Sequence, residues 1–166
     1  MNQPTHIRQI NDSVRGALVD YVRPYPDQIR FSLNQMNGMS TWAWSLWRAP
    51  EGADLLESIP LSGKYMQCAG AADALTIEVR RLDTDGTAHQ YTIGKPDGDL
   101  SGAPTEVIHW DEGRHSTTVY PHEVFTADEA AVIFYTYFLT DMVSQPYELR
   151  DLHLSWPKPE SDAGVS

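Results

Sequence analysis

The chain has 166 residues, 41% of them hydrophobic, and its 23 acidic and 12 basic side chains give a net charge of -11. This length and apolar content predict a globular protein of one domain with a buried core, and they exclude a disordered chain. A strongly acidic surface repels nucleic acid and anionic lipid, so the composition argues against both as partners. It either favours a basic protein partner or reflects acidity that serves solubility alone.

Compartment and domain limits also follow from the sequence. The chain lacks an apolar run long enough to span a membrane, and its first residues, MNQPTHIRQINDS, lack the apolar core of a secretory signal. Cys68 is the single cysteine, which excludes an internal disulfide and fits a reducing compartment. We therefore expect a cytoplasmic protein whose domain covers residues 1–156, followed by a mobile polar tail over 157–166.

The N-terminal segment is predicted to be an amphipathic helix over residues 5–22. Thr5 is its candidate N-cap, and Pro24 ends it because proline cannot continue a helix. The prediction depends on apolar residues spaced three or four apart: Ile7, Ile10, Val14, Leu18 and Val22.

The next two segments are predicted to form a β-hairpin. Residues 28–36 alternate apolar and polar side chains, residues 39–47 read MSTWAWSLW, and Asn37-Gly38 between them is a strong turn signal. In the second strand Trp42 and Trp44 share one face and Trp47 lies on the other. A sheet that is covered on one side has only one inner face, so Trp47 or the pair Trp42 and Trp44 lies on the other face. That face is either partly exposed, with Trp47 as a candidate anchor for a partner, or covered by the loop after Pro50.

Two further hairpins and a final strand are predicted. The first pairs 74–82 with 87–96 through DTDG, the second pairs 105–110 with 115–121 through DEGR, and the last strand covers 147–156.

A second helix is predicted over residues 125–140, FTADEAAVIFYTYFLT. Thr126 and Glu129 have the spacing of a capping box. Apolar residues cover nearly all sides of this helix, so we expect one side to pack on the sheet and the rest to be covered, with the N-terminal helix as the candidate cover. The predicted fold is α+β, a largely antiparallel sheet of about seven strands with both helices packed on it.

Two groups of residues are candidates for chemistry. His109, Asp111, Glu112 and His115 in HWDEGRH include zinc-ligand types, and the alternative is a polar hairpin end whose histidines face water. Cys68 is either a nucleophile that needs a histidine base or, as we favour, a buried structural residue. No phosphate-binding or nucleophile-elbow motif occurs, so no cofactor is predicted.

Acidic side chains recur where the predicted hairpins end. Because successive hairpin ends alternate between two edges of a sheet, we expect some of these carboxylates to cluster. Such a cluster is either a solvated rim or a surface that binds a basic cleft. The candidate partner-binding residues are Asp83, Asp85, Asp97, Asp99, Asp111 and Glu112.

The segment YPHEVFTADEAAVIFYTYFLTDMVSQPYELRDLHLSW and the upstream ALTIEVRRLDTDGTAHQYTIGKP resemble immunity proteins of bacterial polymorphic-toxin systems, especially actinobacterial ones. The resemblance covers roughly residues 70–156. It implies a small cytoplasmic α+β protein that catalyses no reaction but binds one secreted toxin and occludes its active site. The implied toxin is a basic domain of the nuclease, deaminase or NAD-glycohydrolase type.

Two other functions stay open on the sequence. One is a metal-dependent or small-ligand enzyme that uses the 109–115 segment, and metal analysis of the purified protein would distinguish it. The other is a chaperone or adaptor of a secretion system, which the identity of its partner would reveal.

Overall fold

The computed structural model describes residues 3–55 and 63–154. The predicted tail over 157–166 lies outside the described residues. The described elements, in chain order, are β1 (His6–Ile10), β2 (Val14–Ala17), α1 (Tyr25–Asn34), β3 (Ala43–Arg48), β4 (Tyr65–Ala71), β5 (Ala74–Leu82), β6 (Ala88–Gly94), β7 (Glu106–Trp110), β8 (His115–Val119), a 3-10 helix (Pro121–Glu123), α2 (Ala127–Thr140) and β9 (Glu148–Asp151).

The fold is α+β, as predicted. Seven strands form one antiparallel sheet in the order β2-β1-β3-β4-β5-β6-β9, and β7 and β8 form a separate two-stranded sheet. The paired helices α1 and α2 cover one face of the large sheet and bury most of the core there. Neither described helix is long and apolar enough to cross a membrane.

The predicted N-terminal helix is wrong, because the segment forms the hairpin of β1 and β2 instead. Asn11 adopts a left-handed φ of 54° in the turn, and its side-chain oxygen accepts hydrogen bonds from the backbone N–H groups of Trp42 and Ala43. β1 pairs along its whole length with β3. Pairing with a distant strand therefore overrides the helical spacing of the apolar residues.

The predicted strand over 28–36 is also wrong, since α1 occupies this segment. Ile29 and Leu33 are buried, whereas Phe31 between them is exposed, which is the pattern of a helix rather than a strand. Pro26 lies in the first turn, where a helix tolerates proline. Asn37-Gly38 then makes a turn from α1 toward β3, and it does not close a hairpin.

Strand β4 was not predicted from the sequence. It pairs with β3 on one side and β5 on the other, and it carries Cys68 in the centre of the sheet. The Cys68 thiol is buried and its pKa is raised by that burial, which agrees with the structural interpretation of this residue. Its sulfur lies 3.7 Å from the sulfur of Met36, and the thiolate needed for nucleophilic chemistry is strongly disfavoured there.

Strand β3 buries a tryptophan on each of its faces. Trp44 packs edge-to-face on Phe134 of α2, with ring centroids 5.2 Å apart. Trp47 points to the opposite face of the sheet, where the loop after Pro50 contributes Ala53 and Leu55 to its cover. Both rings are fully buried. The exposed-anchor role for Trp47 is therefore wrong, and the covering-loop alternative is confirmed.

Helix α2 begins as predicted. The Thr126 hydroxyl accepts a hydrogen bond from the backbone N–H of Glu129, and the Glu129 carboxylate accepts one from the N–H of Thr126. The rest of the described chain covers the surface of α2 less completely than predicted. Val132 and Leu139 are 60% and 58% exposed, so the described residues leave one side of α2 open.

Candidate functional site

The sheet face opposite the helices is lined by a polar network. Glu78, at the centre of β5, accepts hydrogen bonds on one carboxylate oxygen from Gln67 at 3.1 Å and Gln90 at 2.6 Å. The register places Gln67 directly beside Glu78 on β4, with Gln90 nearby on β6. The two amides hold the carboxylate in one orientation on this face of the sheet.

The same face ends in a buried ion pair. Arg150 of β9 donates to both carboxylate oxygens of Glu123, at 2.8 and 2.9 Å, and Glu123 is only 1% exposed. One of those oxygens also accepts the backbone N–H of Tyr120 at 2.8 Å. The carboxylate of Glu123 raises the pKa of Arg150, which keeps the guanidinium charged. This pair attaches the 3-10 helix to β9.

β9 forms one edge of the large sheet in the part of the chain that the structure describes. Its first residue, Glu148, pairs with Gly94 at the end of β6. The chain leaving β6 returns toward this point, because the backbone N–H of Asp97 donates to the Glu148 carboxylate at 3.1 Å. Asp99 follows in the same exposed loop, so three carboxylates surround the start of β9.

A second acidic group surrounds the end of β9. Asp151 pairs with Tyr91 in β6, and the β5–β6 turn with Asp83 and Asp85 lies at that end of the sheet. His89 connects the two elements. Its Nε2 lies 2.9 Å from Asp83 and its Nδ1 lies 3.6 Å from Asp151.

We call these six carboxylates together the acidic edge. Four of them were predicted as partner-binding residues, and two on β9 were missed. The members are Asp83, Asp85, Asp97, Asp99, Glu148 and Asp151.

Two carboxylates of the acidic edge, those of Asp85 and Asp99, accept hydrogen bonds within their own turns. Asp85 accepts the backbone N–H of Thr87 at 2.8 Å, and Asp99 accepts that of Ser101 at the same distance. These hydrogen bonds lower the pKa of both carboxyl groups. Arg81 is a nearby cation, and its guanidinium lies 5.3 Å over the ring of Tyr91.

A cleft of about 480 Å³ opens beside the start of β9. Leu100, Pro146 and Leu149 give it an apolar wall, while His122 and Glu148 supply polar groups. An aliphatic stem with a cationic head would find both an apolar surface and a carboxylate there.

The remaining predicted carboxylates lie elsewhere. Asp111 and Glu112 occupy the turn between β7 and β8, and each lies 3.5 Å from the guanidinium of Arg114. The backbone N–H of Glu112 donates to the carbonyl of Gly38, ahead of β3. Arg114 therefore offsets this acidic pair, which does not join the acidic edge.

The predicted metal-ligand set is not assembled. His109 pairs with Ser116 across the hairpin, and His115 pairs with Trp110. Because neighbouring residues of a strand point to opposite faces, His109 and His115 lie on opposite faces of the hairpin. Within residues 3–55 and 63–154, no three His, Cys, Asp or Glu side chains are grouped as a metal site requires. The 109–115 metal hypothesis is wrong in its geometry.

A row of polar groups at the N-terminal end of β1 was also missed. The Thr5 hydroxyl lies 2.8 Å from Nδ1 of His6, and Nε2 of His6 lies 3.8 Å from the Asp141 carboxylate, which Arg48 binds at 2.8 Å. A hydroxyl, an imidazole and a carboxylate in this order resemble a general-base relay. Burial, and secondarily Arg48, lowers the pKa of His6 to about 4, so the imidazole is a weak base. We interpret the row as a structural connection between β1, β3 and the end of α2.

Glu148 and Asp151 could have been found from the sequence, because ELRD places three charges within a predicted strand. The His6 row could not, since its members come from three distant segments. Comparison of the chain with protein-family models, with curated proteins and with solved structures finds no match.

Proposed function

We propose that the protein is an inhibitor of the immunity type, which binds a basic toxin domain through the acidic edge and blocks its active site. The observation that carries the proposal is the placement of three carboxylates at each end of the edge strand β9. The ends of this four-residue strand are about 10 Å apart at the usual rise per residue. Such a surface matches a basic cleft that binds an extended anionic substrate.

Charge attraction would make association with the toxin fast in the proposed mechanism. A surface of one sign attracts a partner of the other sign over distances near the Debye length, which raises the association rate. The net charge of -11 adds to the local field of the acidic edge. Toxins that act on anionic substrates, of the nuclease, deaminase or NAD-glycohydrolase type, carry the basic cleft that this surface would fill.

The cleft beside Glu148 supplies the proposed anchor. A lysine or arginine of the partner would lay its stem on Leu100 and Pro146 and place its charge on the Glu148 carboxylate. Arg150 stays paired with Glu123, so its charge does not oppose the incoming cation.

The test is binding of the protein to the basic toxin domain encoded beside its gene, measured by association kinetics over a range of salt concentrations. Two variants reverse one charge each. Asp83→Lys alters the acidic edge, and Asp12→Lys makes the same change in the β1–β2 turn, at the opposite edge of the sheet. We expect the first to slow association about tenfold or more at low salt and the second to have a much smaller effect.

Equal effects of the two variants would contradict the acidic edge as the binding surface. A neighbouring basic domain that neither binds the protein nor loses activity in its presence would contradict the inhibitor function itself.

A further inference from the structure

The outer side of β9 carries backbone groups that pair with no other described strand. Just after β9, the backbone N–H of Leu152 donates to the carbonyl of Gln90 at 2.9 Å, and hydrogen-bonded residues alternate along an antiparallel pair. The backbone groups of Leu149 and Asp151 therefore point away from β6. Among the described residues, none forms a backbone hydrogen bond with the N–H or the carbonyl of either residue. The edge thus offers donors and acceptors spaced as an added strand requires.

The acidic edge limits which strand can pair with β9. Free edges are commonly protected by proline, lysine or a bulge, whereas β9 has the sequence ELRD and pairs with β6 without a break in register. A second copy that paired antiparallel with β9 would place the start of one strand beside the end of the other. Carboxylates of both copies would then approach each other, and like charges opposite one another destabilise strand pairing. Charge therefore opposes pairing of β9 with itself or with another acidic strand.

The cations near β9 do not neutralise the acidic edge. Arg150 and Lys95 each bind a carboxylate outside the acidic edge, at 2.8 and 2.9 Å. Arg81 also lies near β9, with its guanidinium over the ring of Tyr91. Three histidines in this region add charge only when they are protonated: His89, His122 and His153. Even with all three protonated, they and Arg81 set four cations against the six carboxylates of the acidic edge. The charge around β9 therefore favours a basic strand.

We propose that β9 binds an extended segment of a basic protein, which joins the large sheet as an added antiparallel strand. The inference rests on the inhibitor function proposed above and specifies how the toxin is held, by backbone hydrogen bonds to Leu149 and Asp151. Residues of the added strand opposite Glu148 and Asp151 lie three positions apart in its sequence. The bound segment therefore carries lysine or arginine at positions i and i+3. The cation opposite Glu148 is the one that enters the cleft beside the start of β9.

The first test uses a synthetic peptide and needs no toxin. The peptide acetyl-Thr-Lys-Thr-Val-Lys-Thr-amide has the proposed spacing of cations. Its control carries N-methyl groups on the first lysine and on the valine, which keeps the charge but removes the donors that would face β9. Amide hydrogen exchange of the isotope-labelled protein is followed by NMR at millimolar peptide. We expect the first peptide to slow exchange at Leu149 and Asp151 by about threefold or more relative to the control. Equal exchange with the two peptides would overturn the proposal.

The second test uses the basic toxin domain encoded beside the gene. Asp151→Pro and Asp151→Ala remove the same carboxylate, but only proline also removes the outward N–H, at a kind of edge position that tolerates proline. We expect Asp151→Pro to bind the toxin domain at least about tenfold more weakly than Asp151→Ala. Circular dichroism checks that both variants fold, and amide exchange of the wild type in the complex should show protection at Leu149 and Asp151 without any substitution.

The two tests separate this inference from the inhibitor function. A toxin domain that binds both Asp151 variants equally and leaves the two outward amides unprotected would overturn strand addition, and the inhibitor function would stand. A peptide that pairs with β9, together with a toxin domain that does not bind, would support strand addition and contradict the inhibitor function.

Discussion

Arg150 on β9 and Glu123 in the 3-10 helix form a bidentate ion pair. Both N–O distances are below 3 Å, and the Glu123 side chain is 1% exposed. Through this pair the connection from the second sheet is fixed to the edge strand that carries Glu148 and Asp151. The pair fixes β9 between the two acidic groups, and through that position it would support the binding proposed above.

Replacing Glu123 by glutamine should therefore lower the free energy of unfolding by about 2–3 kcal/mol, because the Arg150 guanidinium loses its charged partner in a largely buried site. Urea denaturation measures the change. Arg114→Met is the control, since the 67%-exposed Arg114 makes only surface ion pairs, and its loss should cost less than about 1 kcal/mol. A Glu123→Gln variant as stable as the control would show that the pair has no structural role.

His6 should make stability depend on pH. In the folded protein its pKa is lowered to about 4, whereas in the unfolded chain it binds a proton below about pH 6.5. The unfolded state therefore binds more protons in this window, and the free energy of unfolding should fall as the pH drops from about 6.5 to 4, by up to about 1.4 kcal/mol per pH unit.

The measurement is urea denaturation at several pH values in that window for the wild type and His6→Gln. The variant should show a weaker pH dependence, while His109→Gln, which alters an exposed histidine, should keep that of the wild type. Carboxyl groups with a lowered pKa, such as those of Asp128 and Glu129, lose their contribution as the pH falls through and below their ordinary values of 3.8 and 4.5, and they affect all three proteins alike. Identical pH dependence in His6→Gln would contradict the lowered pKa.

Gly98 should tolerate no side chain while His122 keeps its place. A Cβ at Gly98 would overlap the imidazole of His122, which lines the cleft beside β9. Gly98→Ala should destabilise the protein by about 1–3 kcal/mol unless the ring moves. Gly16→Ala is the control, because open space surrounds that position. The double variant Gly98→Ala/His122→Ala should recover most of the lost stability, and failure to recover would place the strain elsewhere.

Zinc should not stabilise the protein through the 109–115 hairpin. His109 and His115 lie on opposite faces, so they cannot bind one ion without a change of register. A thermal melt with excess zinc should show the same change in midpoint for the wild type and His115→Ala. A larger rise in the wild type would indicate that the hairpin rearranges to bind metal.

The parts of the fold that depend on local signals were predicted correctly. The capping box of Thr126 and Glu129 begins α2, and the alternation over 74–82 forms β5 as predicted. The turn residues that follow β5 and β6 include four of the six candidate carboxylates, and these four lie at the acidic edge. Short-range hydrogen bonds and side-chain alternation act within a few residues, so one sequence is enough to detect them.

The parts that depend on distant partners were not predicted. Ile29 and Leu33 satisfy both a two-residue and a four-residue spacing, and only packing on α2 and the sheet selects the helix. β1 is a strand because β3 is available beside it, and the carboxamide of Asn11 fixes the turn that follows it. The edge position of β9 likewise depends on the strand order, which adjacent residues do not encode.

β9 pairs with β6 although the second sheet and α2 lie between them in the chain. During synthesis on the ribosome the preceding strands can therefore pair while β9 is still unmade, and the two halves of the acidic edge come together only after β9 has been made. Once folded, this short strand should be among the first to exchange its amide hydrogens with solvent. In the inhibitor function proposed above, a toxin bound across β9 would slow that exchange, so the strand would be most rigid in the complex.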